Sequence, residues 1–160
     1  MQRSLIYKVL VDRAKEQLPY LRYIDLNKGQ MQRMADNYPI PLPALLIELQ
    51  ATEASNTSML HQLLEINIRL LLYIDLVTDS FDGAEQYGET MALLDRSDAL
   101  HDAFHGYTTE TIRLTRTREL APEYGLRYMM LASEYKAIVK VPASSYTVTV
   151  PTPTINITTS

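Results

Sequence analysis

Cysteine and tryptophan are both absent from this chain of 160 residues. Without a thiol there is no disulfide, no thiolate zinc site and no cysteine nucleophile, a usage that fits a reducing compartment. Glycine is scarce: the five residues at 29, 83, 88, 106 and 125 never cluster, which excludes a glycine-rich phosphate loop. No apolar run reaches the roughly 20 residues needed to cross a bilayer. The longest candidate, "IRLLLYIDLV" at 68–77, carries Arg69 and Asp75. The N-terminal "MQRSLIYKVLVDRAKE" has charges throughout and no small-residue cleavage site, so no signal peptide is expected. These absences point to a soluble, cytoplasmic protein with no membrane partner.

What is present is ordinary for a folded domain. An apolar content of 46% against 21% charged residues suits a chain long enough to bury one core. A net charge of −4 argues against tight binding to nucleic acid through phosphates. The charge is unevenly spread. Residues 75–102 carry Asp75, Asp79, Asp82, Glu85, Glu89, Asp95, Asp98 and Asp102 against Arg96 alone, whereas the segment from 106 onward is net positive. Such a run usually marks a solvated face. It would also suit head-to-tail assembly, or a lining that repels a passing polyanion.

Residues 4–18 read as an amphipathic helix, with Ser4 as its cap, Leu5, Val9 and Leu10 on one face, and Pro19 as its stop. "YLRYIDLN" at 20–27 reads as a short strand with a turn at "NKG", and "QMQRMADNY" as one or two helical turns. In "NYPIPLPALLIELQ", residues 37–50, prolines at 39, 41 and 43 precede an apolar run. Alternate prolines strip amide donors from one side of an extended segment, which suits the entry to an edge strand and discourages stray pairing there. The strand that follows should put Leu45, Ile47 and Leu49 on one face and Ala44, Leu46, Glu48 and Gln50 on the other.

"ATEASNTS" at 51–58 is small and polar, the composition of an exposed hairpin tip. Residues 64–74 alternate most clearly, with Leu64, Ile66, Ile68, Leu70, Leu72 and Ile74 on one side and a second side that turns apolar at Leu71 and Tyr73. A second helix is expected over 84–105, closed by Gly106, with Leu93, Leu100 and Phe104 and the neighbouring Tyr87, Met91 and Leu94 as its apolar stripe. Strands over 109–118 and 126–141, joined by the turn "ELAPEYG", complete the order. The expected fold is α+β: an antiparallel sheet with a long hairpin and two helices packed on one face. Residues 1–141 form this single domain, and 142–160 an extended, uncharged C-terminal arm. In the arm Tyr146, Val148, Val150, Ile155 and Ile157 alternate with threonine and other polar residues. Alone, such a segment buries too little to offset the entropy of ordering it. It would be held either by its own domain or as an added strand on a neighbouring chain.

Catalytic signatures are few. In "HDAFH" at 101–105, His101 and His105 lie one helical turn apart and could ligate a metal, but an aspartate stands where the zinc-protease pattern has its glutamate base. A histidine pair near a helix C-terminus is also favoured by the helix dipole alone. No catalytic residue and no cofactor is expected. The weight shifts from enzyme to assembly component.

The order of "YIDLNKGQ", "YPIPLPALLIEL", a polar hairpin tip, an alternating strand, a helix ending "ALHDAFHGY" and an arginine-bearing strand resembles the small tail-terminator and tail-completion proteins of long-tailed bacteriophages and prophages. The resemblance covers residues 4–140. It implies a virion structural protein, assembled in the host bacterial cytoplasm, that forms a ring of its own copies, commonly six. Such a ring joins tail-tube and head-connector proteins while DNA passes through without specific binding. The expected partner-binding residues are Ser55, Asn56 and Thr57 at the hairpin tip and Tyr146, Val148, Val150, Ile155 and Ile157 in the arm. The rival readings are a metal-dependent enzyme using His101 and His105, and a non-viral interaction module of the same fold.

Overall fold

The computed structural model describes residues 2–33, 40–58, 61–76, 82–110, 112–125 and 127–142; at 2, 51–58, 61, 62, 141 and 142 the description is of the backbone. Helix α1 (Gln2–Gln17) leads into β1 (Tyr23–Leu26), β2 (Ala44–Ser58) and β3 (His61–Asp75). Helix α2 (Tyr87–Phe104) follows, then β4 (Ile112–Glu119), β5 (Glu123–Tyr124) and β6 (Tyr128–Pro142). The fold is α+β, with one open six-stranded sheet in the order β1-β2-β3-β6-β4 and β5 appended to β6.

Four corrections to the expected pattern have physical causes. The sheet is mixed, because β1 pairs in parallel with β2, Tyr23 opposite Ala44 and Leu26 opposite Ile47. Parallel neighbours need a long connection, and residues 27–43 supply it. The proline segment therefore does not enter an edge strand. Arg22 donates its amide to the Pro43 carbonyl at 2.9 Å, so β1 covers that side through the acceptors that proline retains. The small, polar residues 51–58 continue β2 to Ser58 instead of forming a connection, held by ladder bonds to β3 that do not depend on side-chain type. Finally, Ser4 lies inside the first turn of α1, and the buried seam of that helix is Ile6, Leu10 and Ala14, with Leu5 42% exposed.

The long alternating strand is as expected. Ile66, Ile68, Leu70, Leu72 and Ile74 point into a core shared with Leu45 and Ile47 of β2, Tyr135, Ala137 and Val139 of β6, and both helices. α1 contributes Ile6, Leu10 and Ala14, and α2 contributes Leu93, Leu100 and Phe104, so the two helices cover one face. Each large apolar side chain sealed there contributes about 1.5–3 kcal/mol. Among the described residues the opposite face is covered at one end, where Met31 and Ile40 from the β1–β2 connection pack on Ala44, Leu46, Leu71, Tyr73 and Ala132. α2 ends as its sequence suggests: His105 is extended, and Gly106 takes a φ of 73°, a left-handed conformation that glycine adopts without strain.

Candidate assembly surfaces

β2, β3 and β6 are longer than the rest of the sheet and end together. Ser58 stands opposite His61, and His61 opposite Pro142. The end of the hairpin and the root of the C-terminal arm, two regions far apart in sequence, are thereby brought to one end of a three-stranded blade. Backbone at Ser55, Asn56 and Thr57 belongs to β2, with Ser55 opposite Leu63 and Asn56 opposite Gln62. Register shifts interrupt this ladder between Ala51 and Ala54 and between Asn56 and Ser58. Such irregularities bend a strand and re-aim its side chains. Tyr146, Val148, Val150, Ile155 and Ile157 lie outside the described residues.

The two outer edges of the sheet differ. On the β4 side the edge is closed off by the chain that leads into it: Gly106 donates to the Leu114 carbonyl at 3.1 Å, and Leu114 donates to the Tyr107 carbonyl at 2.9 Å. The Arg116 amide is taken up by His105 Nδ1 at 3.3 Å. On the other side β1 stops at Leu26, and Asn27 makes a last bond to the Ile47 carbonyl at 2.8 Å. Beyond it, among the described residues, β2 from Glu48 to Ser58 has no neighbour on that edge. A groove of about 650 Å³ opens there, between the first turns of α1 and β2. Arg3, Tyr7, Lys28 and Glu48 line it together with the partly exposed Leu26 and Leu49, and Ile47 lies buried beneath.

Asp25 anchors the rim of this groove. Burial acts to raise its pKa, but hydrogen bonds from Lys28 Nζ, the Leu26 amide and the Tyr23 hydroxyl, with the charge of Lys28, outweigh it and hold the carboxyl below its ordinary value of 3.8. Asn27 reaches across to Glu48 Oε1 at 2.5 Å, tying the end of β1 to the start of the open edge.

Past the apolar patch, the same sheet face carries cross-strand ion pairs beside the exposed Ile138 and Lys140. Arg69 sits in register between Glu48 and Glu134, 3.6 Å from the first and 2.9 Å from the second. The hydrogen bond to Glu134 raises the Arg69 pKa against the opposing effect of burial. Lys136 closes on Glu65 at 2.8 Å. Cross-strand pairs of this kind suit a face that remains in water, each adding a fraction of a kcal/mol, about 0.2–1.

The expected stripe on α2 divides in two. Leu93, Leu100 and Phe104 are buried, but Tyr87, Met91 and Leu94 are 41–51% exposed. Spacing accounts for the split: Tyr87, Met91 and Leu94 recur at i, i+4 and i+7, on a flank turned about 120° from the buried set. The sequence signalled apolar residues at helical spacing without distinguishing the seam from this second stripe.

His101 and His105 do come together, their rings stacked with centroids 4.9 Å apart. His105 Nδ1 is engaged by Arg116, and His101 Nδ1 is shut off from solvent with no hydrogen-bond partner. No group of three or more His, Asp or Glu side chains within metal-binding reach of one another occurs among the described residues. A second sealed polar atom lies nearby, the hydroxyl of Tyr135, whose ring meets Phe104 edge-on at 6.2 Å and which makes no hydrogen bond of normal geometry. Burial pushes the Tyr135 pKa up to about 12. Among the described residues no helix is long and apolar enough to cross a membrane.

Comparison with known proteins adds no relative: no protein-family model matches the chain, and no curated protein matches it.

Proposed function

We propose that this protein is a self-assembling structural subunit, and that its setting is the one its segment order resembles: a ring of a bacteriophage tail terminator or tail-completion protein at the head–tail junction. The observation that carries the reading is the convergence of the β2–β3 hairpin end and Pro142, the last described residue, at one end of a blade, beside a β2 edge that no other described residue pairs with from Glu48 onward. An open edge and an uncharged, alternating peptide are the two halves of a strand-addition joint. A protein folded only for itself gains nothing from a long unpaired edge, and it risks indiscriminate aggregation.

In this reading the subunit carries no catalysis. On the polar sheet face two of the bases are already paired, Arg69 with Glu134 and Lys136 with Glu65. Light scattering on the purified protein, alone and mixed with a tail-tube subunit, tests the proposal. A strict monomer that ignores both would overturn it. The genes that flank this one supply an independent check, since a virion role requires tail and head genes as neighbours and a non-viral module of the same fold does not.

A further inference from the structure

The two flanks of the helical layer are unlike and complementary. α1 is held beside α2 by Arg13, whose Nε donates to the Ala103 carbonyl at 2.8 Å, and by the Tyr20 hydroxyl, which donates to the Arg96 carbonyl at 3.0 Å. Arg96 and Ala103 therefore mark the side of α2 that faces α1. Tyr87, Met91 and Leu94 lie on the opposite flank, on the β4 side, in a helix whose charged residues are Glu89, Asp95, Asp98 and Asp102 against Arg96, a net −3. At the far flank of α1, on the β2 side, lies the groove lined by Leu26 and Leu49, with Ile47 beneath. Its charged lining is Arg3 and Lys28 against Glu48, and α1, which borders it, carries a net +2 with Lys8 paired to Asp12 and Arg13 turned to α2.

We propose that the α2 stripe of one copy docks into the α1–β2 groove of the next, with the acids of α2 over the bases of α1. The proposal rests on the self-assembly reading above and adds to the strand-addition joint a second contact, made through the helical layer. Three observations select a second copy as the occupant. The stripe is apolar, and the groove offers it Leu26 and Leu49; the two helices carry opposite charge; and the surfaces lie at opposite ends of the helical layer of one molecule. Because the surfaces differ, the contact is head-to-tail, and copies related by one repeated rotation close a ring or extend a filament. Of the two outer sheet edges, the β4 edge is already closed by residues 106–109 and His105, so the helical layer rather than a continuous sheet joins the copies on that side.

The absence of cysteine makes the test clean. Single variants Met91→Cys and Ser4→Cys, both at exposed positions, are mixed and treated with a short bis-maleimide linker. The expected result is a cross-linked pair made of one copy of each variant, and a ladder of higher species from the Met91→Cys, Ser4→Cys double variant. A Met91→Cys variant that links only to itself shows a symmetric contact and overturns the proposal. Assembly by light scattering without any mixed cross-link overturns this choice of surfaces while leaving the self-assembly reading standing; absence of assembly under all conditions overturns both. Leu94→Asp, at a half-exposed position, is expected to weaken self-association about tenfold or more with an unchanged circular dichroism spectrum. Unaltered association in that variant also overturns the proposal.

Discussion

His61 and Pro142 face each other across β3 and β6. That one register position places the last described residue of β6 at the hairpin end of the blade, opposite the end covered by Met31 and Ile40. Pro142 itself therefore stands at the end of the blade away from Met31 and Ile40, and the first prediction starts from this.

Ending the chain after Pro142 is expected to leave the domain folded. Its melting temperature should stay within a few degrees of the full chain, because the described residues up to that point already build a core on both faces of the sheet. Self-association should weaken. A truncated protein that loses its cooperative thermal transition would show that the last segment belongs to the core.

Lysine at Asn56 or Thr57 places charge at the hairpin end, a common means of protecting strand edges from pairing. These variants are expected to reduce association measured by light scattering while leaving thermal stability almost unchanged.

Asp25 carries the pH prediction. Its carboxyl titrates below 3.8 when folded, so its hydrogen bonds stabilise the protein fully above the unfolded pKa, and that contribution is lost as pH falls through the lower folded value. Asp25→Asn should therefore cost about 1 kcal/mol at neutral pH, and the gap between variant and parent should close as the pH drops below about 4. Urea titrations at a series of pH values measure it; a gap that widens in acid contradicts the assignment.

Tyr135 separates packing from polarity. Its side chain is buried in the core against Phe104, whereas its hydroxyl is sealed with no hydrogen bond of normal geometry, Ser133 lying beside it. Tyr135→Phe should leave stability unchanged or raise it by up to about 1 kcal/mol, while Tyr135→Ala should cost about 3–5 kcal/mol. Chemical denaturation of the two variants provides the comparison.

How much of this was legible in the sequence varies with the range of the forces involved. The alternation from Leu64 to Ile74 was legible because a strand buried on one face must repeat every second residue; the second side was seen to turn apolar at Leu71 and Tyr73, but the smaller core that Met31 and Ile40 make there was not expected. The parallel placing of β1 was not legible, since it depends on the route of residues 27–43 and not on any pattern within Tyr23–Leu26. Residues 51–58 looked like a loop because their side chains are small and polar; their strand character comes from backbone bonds to β3, which composition does not encode. On α2 the periodicity marked every apolar position, but which of them meet the sheet depends on how the helix is rotated in the fold, and Tyr87, Met91 and Leu94 fell on the outer flank. The histidine pair was visible as a spacing, and its engagement by Arg116 was not, because that bond spans two elements.

The measurement that tests the central claim most directly is the mass of the purified full-length protein in solution by light scattering, across a range of concentrations and with the version ending at Pro142 alongside. The account predicts a defined multiple of the 18.3 kDa chain for the full-length protein and a shift toward the single chain for the shortened one. A full-length protein that stays at one chain mass at every concentration, with or without a tail-tube subunit, would contradict it.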